Sequence, residues 1–331
     1  MSKYRLHELE CAVELYSPDP FIFRAAELYQ INGDLRKQLE RYNLYLVARR
    51  PRMSLDPSSL AARPGGESVM GIIEVQVGAT RNRLPFETVL PAHLRVARLG
   101  KHEYPFDYLR FITTTDVPVQ IRLHDVLRFS NVPRSSLTDM HVEYVGQAFG
   151  KAGERDVVDR LIGNTGKVGH GSLQKVLAEV NASHPDQEVH LLLYSFEFHK
   201  RHVIAGGFLD QPEPRHDFNA APNRFEQFFD SEIRRNIRID LAEAALIRHF
   251  GSEYNDKYKK TFPAETHKIL ERLLELDITG LAVSLSTQEH NVRLVSKRVS
   301  PSDAHCAVYP IRTDQDRQSF FDIATPSASE N

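Results

Sequence analysis

The pattern of apolar positions predicts one helix near the start of the chain. Leu39, Tyr42 and Leu46 recur at the helical period. Asp34 precedes this run, and a side-chain oxygen at such a position can accept hydrogen bonds from the first backbone N–H groups of a helix. We therefore expect a helix over about residues 35–47.

Beyond this helix the pattern changes to that of β-structure. Proline, glycine and serine are concentrated between residues 49 and 68, as in an exposed loop. Alternating or β-branched residues then predict four strands, at residues 71–77, 94–99, 108–113 and 117–127. These elements indicate a mixed, β-rich accessory domain over residues 1–135.

From His141 onward, strand and helix patterns alternate. A strand reaches Tyr144, helical patterns follow at residues 153–162 and from Gly171, and an apolar run at 189–194 predicts another strand. Helices that pack on a short sheet give an α/β (α+β) class. The pattern therefore predicts a second domain that begins at about residue 136.

The second domain is interrupted by a long irregular stretch at about residues 195–236, rich in glycine, proline and histidine. Loops of this length in a compact domain are usually functional or disordered. A helical pattern that includes Leu241 and Ala244 follows the insertion. We place the domain at residues 136–280, and expect strands and a polar tail over residues 281–331.

Composition limits the ways in which this chain can bind nucleic acid. Lys and Arg total 42 against 44 Asp and Glu among 331 residues, so the net charge of −2 gives no general attraction for a polyanion. Binding would depend on local basic patches. Two are visible: Lys200 and Arg201 between two histidines, and Arg234, Arg235 and Arg238. Solvated surface charge is the alternative explanation for both.

Cysteine content and hydropathy indicate where the protein resides. Cys11 and Cys306 lie far apart, which favours neither a disulfide framework nor a zinc cluster. No apolar run approaches the roughly 18 residues that cross a bilayer, and the first residues do not resemble a signal peptide. We expect a cytoplasmic protein with no membrane partner.

Two common catalytic motifs are missing from the sequence. Neither a G-x-x-x-x-G-K-[ST] phosphate-binding loop nor a G-x-S-x-G nucleophile elbow is present.

Two residues of the second domain have the chemistry that phosphodiester hydrolysis needs, namely a proton acceptor and a ligand for a cation on the phosphate oxygens. Tyr144 ends a strand shortly before Gly146, so its hydroxyl could project there; a packed strand aromatic is the alternative. Glu243 lies among apolar neighbours. Its carboxylate therefore either faces water or binds a ligand.

An arginine and an asparagine complete the candidate set. Arg155 and Arg160 are too far apart in sequence to share a helical stripe, so only one can face a common site, and we favour Arg160. A surface salt bridge is the alternative for either. Asn255 follows a predicted helix end at Phe250-Gly251, where its amide could cap the helix or hold an adjacent loop.

The order of these residues resembles that of the GIY-YIG nuclease superfamily, over about residues 117–263. Tyr144-Val145-Gly146 resembles the second half of its signature, and Glu243 to Asn255 resembles its end. The resemblance implies a small antiparallel sheet flanked by helices and one Mg²⁺ or Mn²⁺ ion. By this resemblance Glu243 binds the metal and Tyr144 helps to activate water. Arg160 or Arg155 stabilises the phosphate, His170 occupies a neighbouring position of the site, and Asn255 is the last residue of the motif set.

The first half of the signature is missing from its usual place, because no Gly-Ile-Tyr stands shortly upstream of Tyr144. Our leading hypothesis is a metal-dependent endonuclease on nucleic acid, with DNA as the expected substrate and, by analogy only, defence against foreign DNA as its setting. The alternative is a catalytically inactive module that binds nucleic acid or, through the N-terminal domain, a protein partner. A third reading is an α/β protein with coincidental motif matches.

Overall fold

The fold is that of a computed structural model, which describes residues 9–148, 157–162, 171–205, 221–264, 267–276 and 278–311. Within these ranges the chain is of the α+β class. The strands are β1 (Leu9–Ser17), β2 (Phe21–Arg24), β3 (Leu44–Pro51), β4 (Met53–Leu55), β5 (Ala61–Ala62), β6 (Ser68–Val77), β7 (Thr80–Val89), β8 (Val96–Leu99), β9 (Tyr108–Thr113), β10 (Pro118–Arg122), β11 (Met140–Gln147), β12 (Gln187–Tyr194), β13 (His199–Ala205), β14 (Ile278–Ser286), β15 (Leu294–Val295) and β16 (Ala304–Pro310). The α-helices are α1 (Gly33–Leu39), α2 (Leu123–Arg128), α3 (Val157–Ile162), α4 (Gly171–Ser183), α5 (Ala221–Asp230), α6 (Arg235–Phe250) and α7 (Glu271–Glu275).

The central sheet has five strands in the order β15-β11-β3-β12-β2. Strand β3 lies in its middle and pairs antiparallel with both β11 and β12. One face of β3 contributes Leu44 and Leu46 to a core shared with α6, and the other contributes Tyr45 and Val47 to a core shared with α3 and α4. Because both faces are covered, β3 is buried throughout its first half.

The prediction of one helix over residues 35–47 is wrong. Helix α1 ends at Leu39, and its N-cap is Asn32 rather than Asp34: the Asn32 side chain accepts a hydrogen bond from the Leu35 backbone N–H at 3.0 Å. The chain from Leu44 is β3. A short apolar run that is buried on both faces has no alternation, so its period does not distinguish a strand from a buried helix.

The later elements follow the predicted pattern more closely. Residues 71–77 lie within β6, and residues 108–113 form β9, as expected. The strand expected at 117–127 is instead divided into β10 and α2. Leu123, Val126 and Leu127 are buried at helical spacing on α2, which explains why they belong to a helix.

A second sheet, in the order β13-β1-β14-β16, packs in the same apolar core as α6. Its strands β1 and β14 are parallel, although they come from the two ends of the described chain. Strands β1 to β3 thus share sheets with strands from the second half, whereas the sequence analysis grouped them in a unit ending at residue 135. The irregular stretch predicted at 195–236 contains β13 and α5; residues 206–220 lie outside the described ranges.

Residues 53–137 form a separate body inserted between β3 and β11. Strands β4 to β10 and helix α2 build two small sheets around their own apolar core. Polar contacts join this body to the rest: Arg24 pairs with Asp107, and the Tyr108 hydroxyl donates to Glu27 at 2.9 Å. Nearby, the rings of His124 and His290 are hydrogen-bonded at 3.0 Å. Buried and partly buried polar contacts therefore connect the insertion to the rest of the chain.

Two sequence-based expectations concern the whole chain. In the described ranges, the helices are too short or too polar to cross a membrane. Cys11 and Cys306 are not joined by a disulfide, as expected; Cys11 is buried and Cys306 is exposed.

Two histidines, His249 and His305, are hydrogen-bonded to each other with their rings edge to face at 77°. His249 on α6 is hydrogen-bonded through Nε2 to Nδ1 of His305 at 3.1 Å, and Nε2 of His305 lies 3.0 Å from the Ser302 carbonyl oxygen. Since this carbonyl only accepts, His305 donates to it and His249 donates to His305. Burial, together with the His305 and Arg298 charges, lowers the pKa of His249 to about 4.

We expect His249 to weaken the fold as pH falls from about 6.5 to about 4. The unfolded chain binds a proton there that the native state does not, so stability decreases with decreasing pH by up to about 1.4 kcal/mol per pH unit. Urea unfolding across this range should show a shallower pH dependence for His249→Gln than for the wild type. His93→Gln, at an exposed position, is the control and should match the wild type.

Candidate active site

Two tyrosines on neighbouring strands form one wall of the candidate site. Tyr45 lies on β3 and Tyr144 on β11, with ring centroids 6.1 Å apart at an interplanar angle of 36°. The register shifts between Val142 and Tyr144, which brings Gly146 opposite Tyr45. Such a bulge re-aims the side chains that follow it. Both phenol rings therefore face the same side of the sheet above Gly146.

Gly146 is required by the two rings. A Cβ atom at this position would lie 2.6 Å from Tyr144 Cε1 and 2.6 Å from both Cζ and the hydroxyl oxygen of Tyr45. Real Cβ contacts do not occur at this distance, and the rings are confined by their neighbours in the core. The glycine of the Tyr144-Val145-Gly146 segment thus has a steric role.

Helix α6 brings two carboxylates to the same end of β11. Asp240 and Glu243 are three residues apart and lie on one face of α6. Both are hydrogen-bonded by the side chain of Gln147, the last residue of β11, and Glu243 also accepts from the Gln147 backbone N–H. Buried alanines and leucines on α6 pack against the core, which fixes the position of these carboxylates.

The environment of Glu243 favours its neutral form in the absence of a cation. Burial raises the pKa of Glu243 to about 7, and the like charge of Asp240 adds to this rise. Gln147 and the Arg160 charge act in the opposite direction on the Glu243 pKa. The pKa of Asp240 is also raised, mainly by burial. Perturbed carboxylates of this kind are concentrated at functional sites.

The same charges act on the tyrosines. Burial and the Glu243 charge raise the pKa of Tyr144, whereas hydrogen bonds from Ser172 and Tyr45 and the Arg160 charge lower it. Burial also raises the pKa of Tyr45, strongly, and Arg160 opposes this. The predicted residues Tyr144, Arg160 and Glu243 are therefore close enough to influence one another electrostatically. The side chain of Arg160 is exposed on α3.

Asn255 supports this site from the other side of β11. Its amide Nδ2 donates to the Val145 carbonyl oxygen at 2.9 Å, and its Oδ1 accepts from the Val145 backbone N–H at 2.9 Å. The Ser252 hydroxyl also donates to Oδ1, at 2.6 Å. Asn255 thus holds the segment after α6 against the strand of Tyr144. The sequence analysis had left open whether it caps the helix or holds a loop, and the contacts favour the loop.

Several predicted residues are placed elsewhere or are not described. Arg155 and His170 lie outside the described residues. Arg201 donates to the carbonyl oxygens at the end of α5, so it has a structural role there rather than a free guanidinium. Arg235 pairs with Glu197 at 3.2 Å and Lys200 with Glu14 at 3.6 Å.

The two predicted basic patches meet in the structure. Arg238 on α6 and His199 on β13 are linked at 3.3 Å between Nη1 and Nδ1. Arg234 is exposed and lines a cleft of about 580 Å³ that also includes Asp240. This cleft gives a solvent route to Asp240.

Sequence reasoning missed four residues of this site: Tyr45, Gln147, Ser172 and Asp240. Asp240 had a usable signal, because an acidic residue one turn before Glu243 shares its helical face. Gln147 directly follows Gly146 at the predicted strand end, so it could have been included among the candidate site residues. Tyr45 was hidden by the wrong helix prediction, and Ser172 gave no signal.

Comparison of the chain with family models, with curated proteins and with solved structures gives no match.

The carboxylate oxygens of Glu243 and Asp240 fit a hard divalent cation such as Mg²⁺ or Mn²⁺, which prefers oxygen ligands. Mg²⁺ keeps several waters and usually takes only one or two protein carboxylates. Within the described part of the chain, no group of three or more His, Cys, Asp or Glu side chains is placed to hold a metal. The donor set thus suits a sparsely ligated ion more than a structural zinc.

We expect Gly146→Ala to lower the free energy of unfolding by about 1–3 kcal/mol, because the added methyl group must displace both tyrosine rings. Urea denaturation measures this change. Gly33→Ala is the matched control: a Cβ atom there meets nothing within 4 Å, so stability should be unchanged or slightly increased. Equal effects of the two substitutions would contradict the steric role of Gly146.

Proposed function

We propose that this protein is a metal-dependent nuclease of the GIY-YIG type, which hydrolyses phosphodiester bonds of nucleic acid, with DNA as the expected substrate. The observation that carries the proposal is that the charges of Glu243, in the middle of α6, and of Arg160 act on both Tyr45 and Tyr144. A phenol pair, a guanidinium and a carboxylate have the chemistry that this hydrolysis needs.

Tyr45 supplies a candidate for the missing first half of the signature. The segment Asn43-Leu44-Tyr45 precedes Tyr144-Val145-Gly146 by the length of the inserted body, and the two segments meet where Tyr45 of β3 pairs with Gly146 of β11. The alternative of an inactive binding module rested mainly on the absence of this tyrosine. A tyrosine in contact distance of Tyr144 therefore favours the enzyme.

Each residue would have a distinct part in the reaction. Tyr144 would help to activate the attacking water by accepting a hydrogen bond from it, with its own hydroxyl oriented by Tyr45 and Ser172. Tyr45 would act as a positioning residue for Tyr144. Arg160 would stabilise charge on the phosphate oxygens. A divalent cation held by Glu243, with Asp240 beside it, would supply Lewis-acid polarisation of a phosphate oxygen.

We expect Glu243→Gln to abolish Mg²⁺-dependent nicking of plasmid DNA, with Tyr144→Phe reducing it by about 100-fold or more. Both changes keep the shape of the side chain, so folding should be retained. The matched control is Glu253→Gln, which alters an exposed carboxylate paired only with Lys297 in the described contacts. Wild-type cutting by Glu243→Gln would reject the proposal. RNA tested in parallel would decide the substrate.

The same assay distinguishes the two candidate arginines. Arg160→Ala should cause a loss comparable with that of Tyr144→Phe, because the Arg160 charge acts on Tyr45, Tyr144 and Glu243. Arg155→Ala should retain most activity. The opposite result would move the phosphate-stabilising role to Arg155.

A further inference from the structure

We propose that five cationic side chains at the C-terminal end of α6 bind the phosphate backbone of duplex DNA: Arg248, Lys257, Lys259, Lys260 and Arg298. We call this surface the phosphate anchor. The inference rests on the proposed function, because it names the part of the molecule that holds the same substrate. Contacts of this kind add affinity without reading the base sequence.

Two arginines of the anchor are held together at the end of α6. Arg298 donates through Nη1 to the Arg248 carbonyl oxygen at 3.0 Å, and Arg248 donates through Nη1 to the Lys259 carbonyl oxygen at 3.1 Å. In the described contacts neither guanidinium has a carboxylate within salt-bridge distance. Burial and the nearby Arg298 charge lower the pKa of Arg248. Two cations that are kept close together without a carboxylate favour the binding of an anion beside them.

Each guanidinium retains most of its hydrogen-bonding capacity. An arginine side chain has five N–H donors, and the described contacts use one of Arg248 and one of Arg298. Arg298 is exposed and Arg248 is partly exposed, so the other donors can reach a ligand. Capping of helix carbonyl groups is the alternative role, and it accounts for a single N–H of Arg298. The remaining N–H groups of a planar guanidinium match two oxygens of one phosphate.

The local backbone fixes Arg298 before any ligand binds. The Ser296 hydroxyl accepts from the backbone N–H groups of Arg298 and Val299, both at 3.1 Å, and the Ser296 N–H donates to the Val299 carbonyl oxygen at 3.0 Å. The arginine stem crosses Gly251, where an added Cβ atom would lie 3.1 Å from Arg298 Cδ. A side chain that is held at its stem and at its Nη1 loses less conformational freedom when it binds a phosphate.

The three lysines of the anchor add positive charge to the same part of the surface. Lys259 is partly exposed and the other two are exposed, and the described contacts pair none of them with a carboxylate. Two carboxylates lie in this segment: Glu253 pairs with Lys297 at 2.6 Å and is also influenced by the Lys259 charge, and Asp256 is exposed. Cations therefore outnumber carboxylates here, whereas the whole chain has a net charge of −2. Such a local excess attracts a polyanion.

The lysine-bearing segment runs close to the candidate active site. It follows Asn255, whose amide is hydrogen-bonded to both backbone groups of Val145 on β11 at 2.9 Å. Tyr258 lies between two of the lysines, and burial and the Glu243 charge raise its pKa. On α6, Arg248 lies about 7.5 Å beyond Glu243 along the helix axis, at about 1.5 Å rise per residue. A backbone bound at the anchor therefore lies near the proposed site of cleavage.

A duplex fits the anchor better than an unpaired strand does. Proteins that bind unpaired bases without sequence preference stack them on exposed aromatic faces. The five side chains of the anchor are all cationic, and the aromatic residue among them, Tyr258, is packed against Phe262 and His267 with centroids 6.1 Å and 5.3 Å away. Contacts between cations and phosphates serve a duplex of any sequence. We therefore assign duplex DNA as the occupant.

The salt dependence of binding tests the anchor. In a Glu243→Gln background, in which no cutting is expected, Arg298→Gln and Lys260→Gln should each lower the slope of log affinity against log salt concentration by about 0.9 for a labelled DNA duplex. Each should weaken binding by roughly five- to tenfold at about 0.1 M salt, equally for two duplexes of unrelated sequence. Arg298→Lys keeps the charge and should keep the slope. Fluorescence anisotropy measures both quantities.

Arg63→Gln is the matched control, because it removes an exposed guanidinium of the inserted body that is already paired with Glu87. Its slope should equal that of the background protein. Lys260 makes none of the described side-chain contacts, so Lys260→Gln tests the anchor even where Arg298→Gln alters the end of α6. Unchanged slopes for both anchor variants, an equal loss with Arg63→Gln, or a lost slope with Arg298→Lys would overturn the inference.

The outcomes also separate this inference from the nuclease. A protein that cuts DNA but shows unchanged slopes for the anchor variants refutes only the anchor. A protein that binds duplex DNA through the anchor but never cuts it refutes only the nuclease. A protein that neither binds nor cuts DNA refutes both.

Discussion

The contact of Tyr45 and Tyr144 above Gly146 is the constraint on which the candidate site depends. It requires β3 to lie beside β11 in one register, because a shift by one residue would send Tyr45 to the opposite face. The central position of β3 secures that register, since β12 pairs with its other edge. Asn255 adds a fixed link between β11 and the segment after α6. The sheet and helix α6 are thereby held in the arrangement in which the Glu243 charge acts on both tyrosines.

Two neighbouring carboxylates are buried at the candidate site, and packing in the surrounding core offsets the cost of burying them. Burial raises the pKa of both Glu243 and Asp240, and the like charge of Asp240 adds to the rise in the Glu243 pKa. Gln147 offsets part of this cost with its amide. The remainder is tolerated because the opposite face of α6 is packed with buried alanine, leucine and isoleucine. Strain and repulsion of this kind occur where structure serves function more than stability.

The sequence predicted parts of the site that depend on local pattern and missed those that depend on long-range pairing. The α6 carboxylate and the helix end before Asn255 followed from periodicity and a glycine stop, and α6 does end at Phe250 with Gly251 in the left-handed conformation. Tyr45 could not be found in this way, because its partner strand lies beyond the whole inserted body. The role of Arg201 at the end of α5 could not be predicted either, because the sequence does not show which backbone carbonyl groups a basic side chain on a strand will contact.

The inserted body connects the end of β3 to the start of β11. These two strand ends are paired with each other, with Arg49 opposite His141. In topological terms, residues 52–139 are the connection of a β-hairpin that has grown into a folded unit. Closing a longer connection costs only about 0.6 kcal/mol for each doubling of its length. A body with its own apolar core can offset that cost. The hairpin can therefore accept a large connection without a change in the pairing of its two tyrosine-bearing strands.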